Sequence, residues 1–177
     1  MFKKIIAPVI AALALVATPA LADVAVVYFS QTNNTKTVAE VIAAELGVEA
    51  QAITPALAYA PEDLNKEGGR ARDEHNDAAS RPELATSPDV SAADTVFIGW
   101  PVWWGNAPKV VYSWIDAANL QGKKIIPFCT SGSQTIDGSL DMLKAAYPHL
   151  TFEAGARFTG KGDDAEVKTW VDSLGLK

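Results

Sequence analysis

Segments typical of buried strands alternate with segments typical of helices along this chain, and that order constrains the fold more than any other feature. Five apolar segments rich in β-branched or aromatic residues predict strands, at residues 24–29, 48–53, 95–100, 124–129 and 151–158. Apolar residues at helical spacing predict helices at residues 35–46, 108–118, 137–146 and 164–174. Strands separated by helices pair in parallel through right-handed crossovers. We therefore predict a three-layer α/β fold, with a five-stranded parallel sheet between two helical layers.

Residues 61–88 form a longer, charged stretch between the second and third predicted strands. Polar spacing from Leu64 to Glu74 favours one solvated helix, which the pair Gly68-Gly69 weakens. Two interpretations remain at this point. The stretch is either a plain exposed crossover or a surface excursion whose helix leans over a ligand site.

The first 22 residues have the pattern of a secretory signal peptide. A cationic start is followed by the apolar residues 5–17 and by the small-x-small sequence Ala20-Leu21-Ala22. Cleavage after Ala22 would leave residues 23–177 as a single domain. The apolar core is short for a membrane span, although an uncleaved anchor is the alternative. We predict a periplasmic or secreted protein with no membrane span after cleavage.

Charge and composition narrow the possible partners and chemistries. Cleavage removes Lys3 and Lys4 and no acidic residue, so the formal charge changes from −6 to −8. Such an acidic chain argues against nucleic acid as a partner. Cys129 is the only cysteine, which excludes an intramolecular disulfide, and we interpret it as a small core residue. His75 and His149 have no metal-ligand spacing and are predicted to be ordinary surface residues, so no metal site is expected.

A polar segment joins the first predicted strand to the first predicted helix. Its sequence is Ser30-Gln31-Thr32-Asn33-Asn34-Thr35. The first N–H groups of a helix lack partners within the helix, and the helix dipole adds partial positive charge there. Hydroxyl groups at that place can close around a phosphate without a lysine or arginine. The alternative is an ordinary N-cap loop, which the same residue types favour.

Two further loops are expected at the same edge of the sheet. In an open parallel sheet, ligands bind outside the carboxyl ends of the strands where the strand order reverses. The third strand is followed by an aromatic loop, residues 100–108, and the fourth by the small polar residues 129–134. A phosphate cradle, an aromatic wall and a small polar loop together suit a planar, phosphorylated ligand.

Trp103 and Trp104 are the strongest candidates for contact with a planar ring. Aromatic faces stack on planar groups, and an exposed apolar patch usually marks a binding site. The alternative is that one indole closes the end of the sheet while the other packs on the next helix. Because adjacent residues of an extended loop point in opposite directions, we predict that at least one indole lies against the ligand.

Three segments, residues 28–36, 99–105 and 127–132, resemble the flavodoxin family, and specifically its branch with a Trp-Trp-Gly second loop. The resemblance runs from Val24 to the last predicted helix. It implies a flavodoxin-like sheet of strand order 2-1-3-4-5 and one non-covalently bound FMN. By position, the phosphate would be held by Ser30, Thr32, Asn34 and Thr35. The isoalloxazine would be bordered by Pro101, Val102, Trp103, Trp104, Gly105 and Asn106. Its other edge, or the ribityl chain, would contact Thr130, Ser131, Gly132 and Ser133.

The phosphate loop departs from the family pattern at one position. Where the family has glycine, this chain has Asn33, which we also assign to the cofactor site. Glycine permits positive φ and close backbone approach, and asparagine is the next most tolerant residue. We expect the cradle to survive the change, with weaker affinity for FMN.

The resulting hypothesis is an exported electron-transfer protein whose flavin cycles between oxidised, semiquinone and hydroquinone states. Its partner would be a redox protein or a small acceptor such as a quinone. Two alternatives remain open from the sequence. One is an FMN-dependent NAD(P)H:quinone-type reductase with an open substrate slot, and the other is a flavin-free module that binds protein through the aromatic loop.

Overall fold

The structure is a computed structural model that describes residues 23–65 and 67–176, so the predicted signal peptide, residues 1–22, lies outside the described residues. The strands are β1 Val24–Tyr28, β2 Ala50–Ala52, β3 Thr54–Pro55, β4 Leu84–Thr86, β5 Thr95–Pro101, β6 Lys124–Thr130 and β7 Ala156–Phe158. The α-helices are α1 Asn34–Leu46, α2 Arg70–Asn76, α3 Lys109–Ala117, α4 Asp137–Ala146 and α5 Asp164–Ser173. A short 3₁₀ helix covers Pro61–Leu64.

Five strands form one parallel sheet in the order β2-β1-β5-β6-β7. Numbered among themselves, they have the order 2-1-3-4-5, which confirms the predicted topology. The strand order reverses between β1 and β5, so the loops that follow these two strands begin side by side. This is the place where an open parallel sheet binds its ligands.

Helices cover both faces of the sheet because side chains alternate along each buried strand. Val27 and Phe29 lie in the core shared with α3 and α4, whereas Val26 and Tyr28 lie in the core shared with α1 and α5. This alternation confirms the three-layer arrangement.

The last strand is shorter than predicted. Only Ala156–Phe158 forms β7, while Phe152 makes an isolated bridge to Ile125. Between these two pairings lies Pro127 of β6, which has no N–H to donate to a neighbouring strand. The apolar pattern of residues 151–158 could not reveal this break, because its cause lies in the partner strand.

The charged stretch after β2 is more structured than predicted. A two-stranded antiparallel sheet, β3 with β4, brackets it. The predicted single helix begins only at Arg70 of α2, because Gly69 separates it from the 3₁₀ helix. A Cβ atom on Gly69 would lie 2.6 Å from the carbonyl oxygen of Asp63, so the close approach of these two segments requires glycine.

Among the described residues, no helix is both long enough and apolar enough to span a membrane.

Candidate functional site at the carboxyl edge of the sheet

The loop after β1 presents backbone N–H groups at the start of α1. Asn33 precedes the helix with φ of 63° and makes no capping hydrogen bond with its side chain. The first backbone bond of the helix runs from the N–H of Thr37 to the carbonyl of Asn33. The N–H groups of Asn34, Thr35 and Lys36 precede that bond and so have no acceptor within the helix. The left-handed conformation at Asn33 is the one that glycine favours and asparagine tolerates.

The polar side chains of this loop differ in exposure. Ser30 and Asn34 are half-buried, Thr32 and Asn33 are exposed, and Thr35 is fully buried. Among the described residues, the side chains of Ser30, Thr32 and Asn34 have no hydrogen-bond partner. Their hydroxyl and amide groups are therefore free to bind a ligand beside the helix N-terminus.

Thr35 joins this loop to the end of β6. Its hydroxyl oxygen lies 2.8 Å from that of Thr130, and both side chains are buried. In a pair of hydroxyl groups one donates and the other accepts, so the accepting group keeps its own proton for a further partner. Thr130 thus lies beside the loop predicted to hold phosphate, whereas the resemblance implied a place beside the ring or the ribityl chain.

The aromatic loop after β5 is a tight turn. Trp103 and Asn106 exchange both backbone hydrogen bonds, at 2.9 and 3.0 Å. The two residues between them, Trp104 and Gly105, have φ of 48° and 86°. Positive φ at both central positions is the signature of a type I′ turn. A bulky residue such as Trp104 rarely adopts this conformation, so the turn is a strained feature at the candidate site.

The same loop is tied to the other two. The N–H of Val102 donates to the carbonyl of Thr130 at 3.0 Å. Gln134, in the loop after β6, lies beside Gly105, since a Cβ atom built on that glycine would be 3.6 Å from its Nε2. The three loops that the sequence predicted to converge therefore meet at one edge.

The two tryptophans do not point in opposite directions as predicted. Their ring centroids are 6.3 Å apart, because Trp104 is in a left-handed turn and not in extended backbone. Trp103 lies edge-on to Phe29 and Tyr59, at 5.5 and 5.2 Å between centroids. Both indoles are half-buried and pack against the core of the α3 and α4 side. Which of them contacts a ligand remains a prediction.

Asn106 anchors this turn from inside. Its side chain is fully buried, and its Oδ1 accepts hydrogen bonds from the N–H of Ala107 and from the hydroxyl of Tyr112, both at 2.8 Å. These two donors fix the orientation of the amide. The Nδ2 group is buried and has no partner among the described residues. An unpaired buried donor is costly, so it marks a place where a hydrogen-bond acceptor of a ligand could bind.

The loop after β6 is organised by Ser131. Its hydroxyl oxygen accepts hydrogen bonds from the N–H groups of Ser133 and Gln134. Its carbonyl accepts a hydrogen bond from Arg157 at 3.1 Å. Gly132 and Ser133 are exposed between these contacts. Thus the four residues predicted from this loop lie at the same edge as the cradle and the turn.

Sequence reasoning missed Tyr59, which connects the first loop to the charged excursion. Gln31 donates to the carbonyl of Tyr59 at 2.7 Å, and the Tyr59 hydroxyl donates to Glu74 of α2 at 2.6 Å. Burial and the neighbouring carboxylate raise the pKa of Tyr59 far above its ordinary value. Arg70 lies over the same ring and bonds to Glu74. A lone aromatic residue between Pro55 and Pro61 was the available signal.

The excursion leans over the aromatic loop. The guanidinium of Arg72 lies 5.2 Å from the centre of the Trp104 ring, and the His75 ring lies 5.7 Å from it. His75 is half-buried here, so its assignment as an ordinary surface residue was wrong. Burial, followed by the positive charges of Arg72 and Lys109, lowers the pKa of His75.

A cavity of about 860 Å³ opens at the opposite edge of the sheet. It is lined by Val24, Leu46, Val48 and Val90, among others, and by none of the predicted site residues. It lies at the amino ends of the strands, away from the helix N-termini that bind ligands in such sheets. The carboxyl edge therefore remains the candidate functional site.

The sequence profile of the flavodoxin family matches residues 23–174. The chain belongs to the flavodoxin family. The described fold and the three converging loops agree with that assignment. No curated protein matches the chain in sequence.

Solved structures extend the comparison. A flavoprotein candidate from Bacteroides eggerthii is 34% identical, with a TM-score of 0.80 over 88% of this chain and 99% of that chain. One from Bacteroides uniformis is 32% identical, with a TM-score of 0.81 over 85% of this chain and 98% of that chain. A flavoprotein in complex with FMN from Lactobacillus acidophilus is 23% identical, with a TM-score of 0.67 over 84% of this chain and 98% of that chain. At that identity the likeness shows the shared fold alone.

Proposed function

We propose that this member of the flavodoxin family binds one FMN non-covalently at the carboxyl edge of the sheet and carries electrons. The observation that carries the proposal is the junction of three loops at the start of α1. There the free N–H groups, the Thr35–Thr130 hydroxyl pair and the Trp104–Gly105 turn lie together. The complex of the Lactobacillus acidophilus flavoprotein with FMN supports this choice of cofactor.

The residues present fit the parts of FMN. The phosphate would be bound by the backbone at Asn34 and Thr35 and by the unpaired side chains of Ser30 and Thr32. The cradle itself contains no cation, and Lys36 beside it is partly exposed and lies 3.7 Å from Glu40. Hydrogen bonds and the helix dipole would therefore supply most of the attraction.

The ring system would lie against the aromatic loop. Gly105 has no side chain to separate backbone from ligand, and Asn106 holds that backbone in place while its Nδ2 group remains unpaired. The half-buried indoles would exclude water on one side. FMN supplies the redox chemistry when bound, and the protein sets its binding, orientation and electrostatic surroundings.

We also propose that the protein is exported and works in the periplasm or outside the cell. The support is the signal-peptide pattern of residues 1–22. Cell fractionation, with N-terminal sequencing of the recovered protein, tests this directly. We expect Asp23 as the first residue, and an intact Met1 in the cytoplasmic fraction would contradict export.

The electron-carrier function is tested by titration and by turnover. Protein freed of flavin should bind one FMN per chain and then show flavin absorbance bands. A carrier should accept electrons from a chemical reductant yet turn over slowly with NAD(P)H and a neutral quinone. Rapid turnover in that assay would contradict the carrier function and favour the alternative of an NAD(P)H:quinone-type reductase. Absence of FMN binding would favour the other alternative, a flavin-free module that binds protein.

A further inference from the structure

Positive charge is concentrated beside Trp104 although the chain as a whole is acidic. Arg72 reaches that ring from α2 beside His75, whose lowered pKa leaves its imidazole uncharged at neutral pH, and Lys109 begins α3 directly after the aromatic loop. The Nζ atom of Lys109 lies 4.7 Å from the centre of the Tyr112 ring. The whole chain has a formal net charge of −6, so this local group of cations is contrary to its general composition.

These cations differ from their neighbours in lacking carboxylate partners. Arg70 pairs with Asp63 and Glu74, and Arg81 pairs with Asp116. Among the described residues, neither Arg72 nor Lys109 has a carboxylate oxygen within 4.0 Å. The charge of Arg72 is therefore available to an external anion, as is that of Lys109, on which the carboxylate of Asp77 acts from beyond 4.0 Å.

The cations are also recessed. Lys109 is only 6% exposed and lies over the Tyr112 ring, while Arg72 and the uncharged His75 are half-buried against the Trp104 ring. Burial lowers the pKa of Lys109, the nearby charge of Arg81 adds to the effect, and the carboxylate of Asp77 opposes it. A bound anion would relieve this repulsion. A cation recessed beside an aromatic ring suits a small, flat anion, because the cation binds the anionic group while the ring stacks on the planar part.

α2 is held firmly enough to form one wall of such a site. Glu74 accepts hydrogen bonds from Tyr59 and Arg70, and Arg70 also donates to the carbonyls of Leu57 and Ala58. These bonds fix the helix against the loop that follows β3. The side chains of Arg72 and His75 therefore have a defined position relative to Trp104.

We propose that Arg72, His75 and Lys109 form a binding site beside Trp104 for a planar aromatic anion, a carboxylate or sulfonate. Because Trp104 belongs to the loop assigned to the flavin ring, such an anion would be the small electron acceptor, and this role rests on the proposed function. The binding itself does not depend on it.

The test compares two probes of the same shape. Anthraquinone-2-sulfonate carries one negative charge, and 2-(hydroxymethyl)anthraquinone carries none. Their affinities are measured by quenching of tryptophan fluorescence, in the protein with and without added FMN. We expect the sulfonate to bind about tenfold or more tightly than the neutral probe, as for hydrogen bonds to a charged group. Equal affinities would overturn the proposal.

Charge-removing variants locate the site. Arg72→Gln and Lys109→Gln should each reduce sulfonate affinity about tenfold and leave the neutral probe nearly unchanged. Lys124→Gln is the matched control, since it removes the same charge from the exposed start of β6 at the opposite edge. Circular dichroism checks that each variant is folded. If Lys109→Gln is unfolded, the sulfonate affinity of Arg72→Gln decides the test, because Arg72 is only half-buried. Unchanged sulfonate affinity in Arg72→Gln would overturn the proposal. Failure of FMN to bind would refute only the proposed function.

Discussion

The hydroxyl oxygens of Thr35 and Thr130 lie 2.8 Å apart in the protein interior, and their hydrogen bond joins the start of α1 to the end of β6. The two residues are 95 positions apart in the chain. Their pairing fixes the predicted phosphate loop, residues 30–35, against the end of β6, and it leaves one hydroxyl proton for a ligand. This relationship gives the site its most specific test.

Thr35→Ala should weaken FMN binding by about 1–3 kcal/mol, since it removes a hydrogen bond to a charged group. It should also lower the free energy of unfolding by about 1 kcal/mol, because the Thr130 hydroxyl loses its buried partner. Fluorescence titration and urea unfolding measure the two effects. Thr169→Ala is the control, because that exposed threonine bonds within α5 and lies outside the cradle. Equal FMN affinity in Thr35→Ala and the parent would contradict the assignment.

Substitutions of Asn33 distinguish the effect of its backbone conformation from the effect of a contact between its side chain and the ligand. Its φ of 63° means that Asn33→Ala places a less tolerant residue in the left-handed region, at a cost of about 1 kcal/mol of stability. Asn33→Gly should bind FMN as tightly as the parent or more tightly, because glycine adopts this conformation freely. Its stability should change little, since relief of strain offsets the added unfolded-state entropy. A clear loss of FMN affinity in Asn33→Gly would show that the asparagine side chain itself contacts the ligand.

Substitutions of the two tryptophans should differ in their effect on stability. Trp103→Ala should lower the free energy of unfolding by roughly 2–3 kcal/mol, because this half-buried ring packs on Phe29 and Tyr59. Trp104→Ala should cost less, because it mainly removes contacts with Arg72 and His75. At least one variant should bind FMN more weakly, by about 1 kcal/mol, and should raise the fluorescence of bound flavin. If both variants match the parent in affinity and fluorescence, the aromatic loop does not contact the ring.

Cys129 should be chemically inert in the folded protein. Burial raises the pKa of its thiol to about 12, with Arg157 opposing the shift and Asp137 adding to it. An aromatic disulfide reagent should therefore react very slowly at pH 8 and rapidly after unfolding. Because the unfolded thiol ionises first, this group should reduce stability as pH rises from about 9 towards 12. Fast reaction of the folded protein would contradict its burial.

The fold was largely predictable because each element carried its own pattern. The apolar runs around Val26 and Phe97 and the helical spacing of residues 35–46 identified the sheet and its first helix without knowledge of their neighbours. The break in the last strand was not predictable, because it depends on Pro127 in the adjacent strand. The two-stranded sheet of β3 and β4 was missed because each of its strands is too short to show an alternating pattern.

The site was predictable only as a set of loops. The polar residues 30–35 and the loop that contains Trp103 were recognised from their position after strands. The contact of His75 with Trp104 was not, because it depends on how a charged excursion folds back over the sheet. Alternation along extended backbone also gave the wrong orientation of the tryptophans, since the positive φ of Trp104 arises from a turn.

The central claim is that the start of α1 binds the phosphate of FMN, and the affinity for FMN relative to riboflavin tests it most directly. Riboflavin has the same ring and ribityl chain but no phosphate, so the ratio isolates the cradle formed by residues 30–35. Both affinities are measured by fluorescence titration of the same flavin-free protein. Hydrogen bonds to the charged phosphate, at about 1.5–3 kcal/mol each, predict that FMN binds at least about tenfold more tightly. Equal affinities would contradict the account.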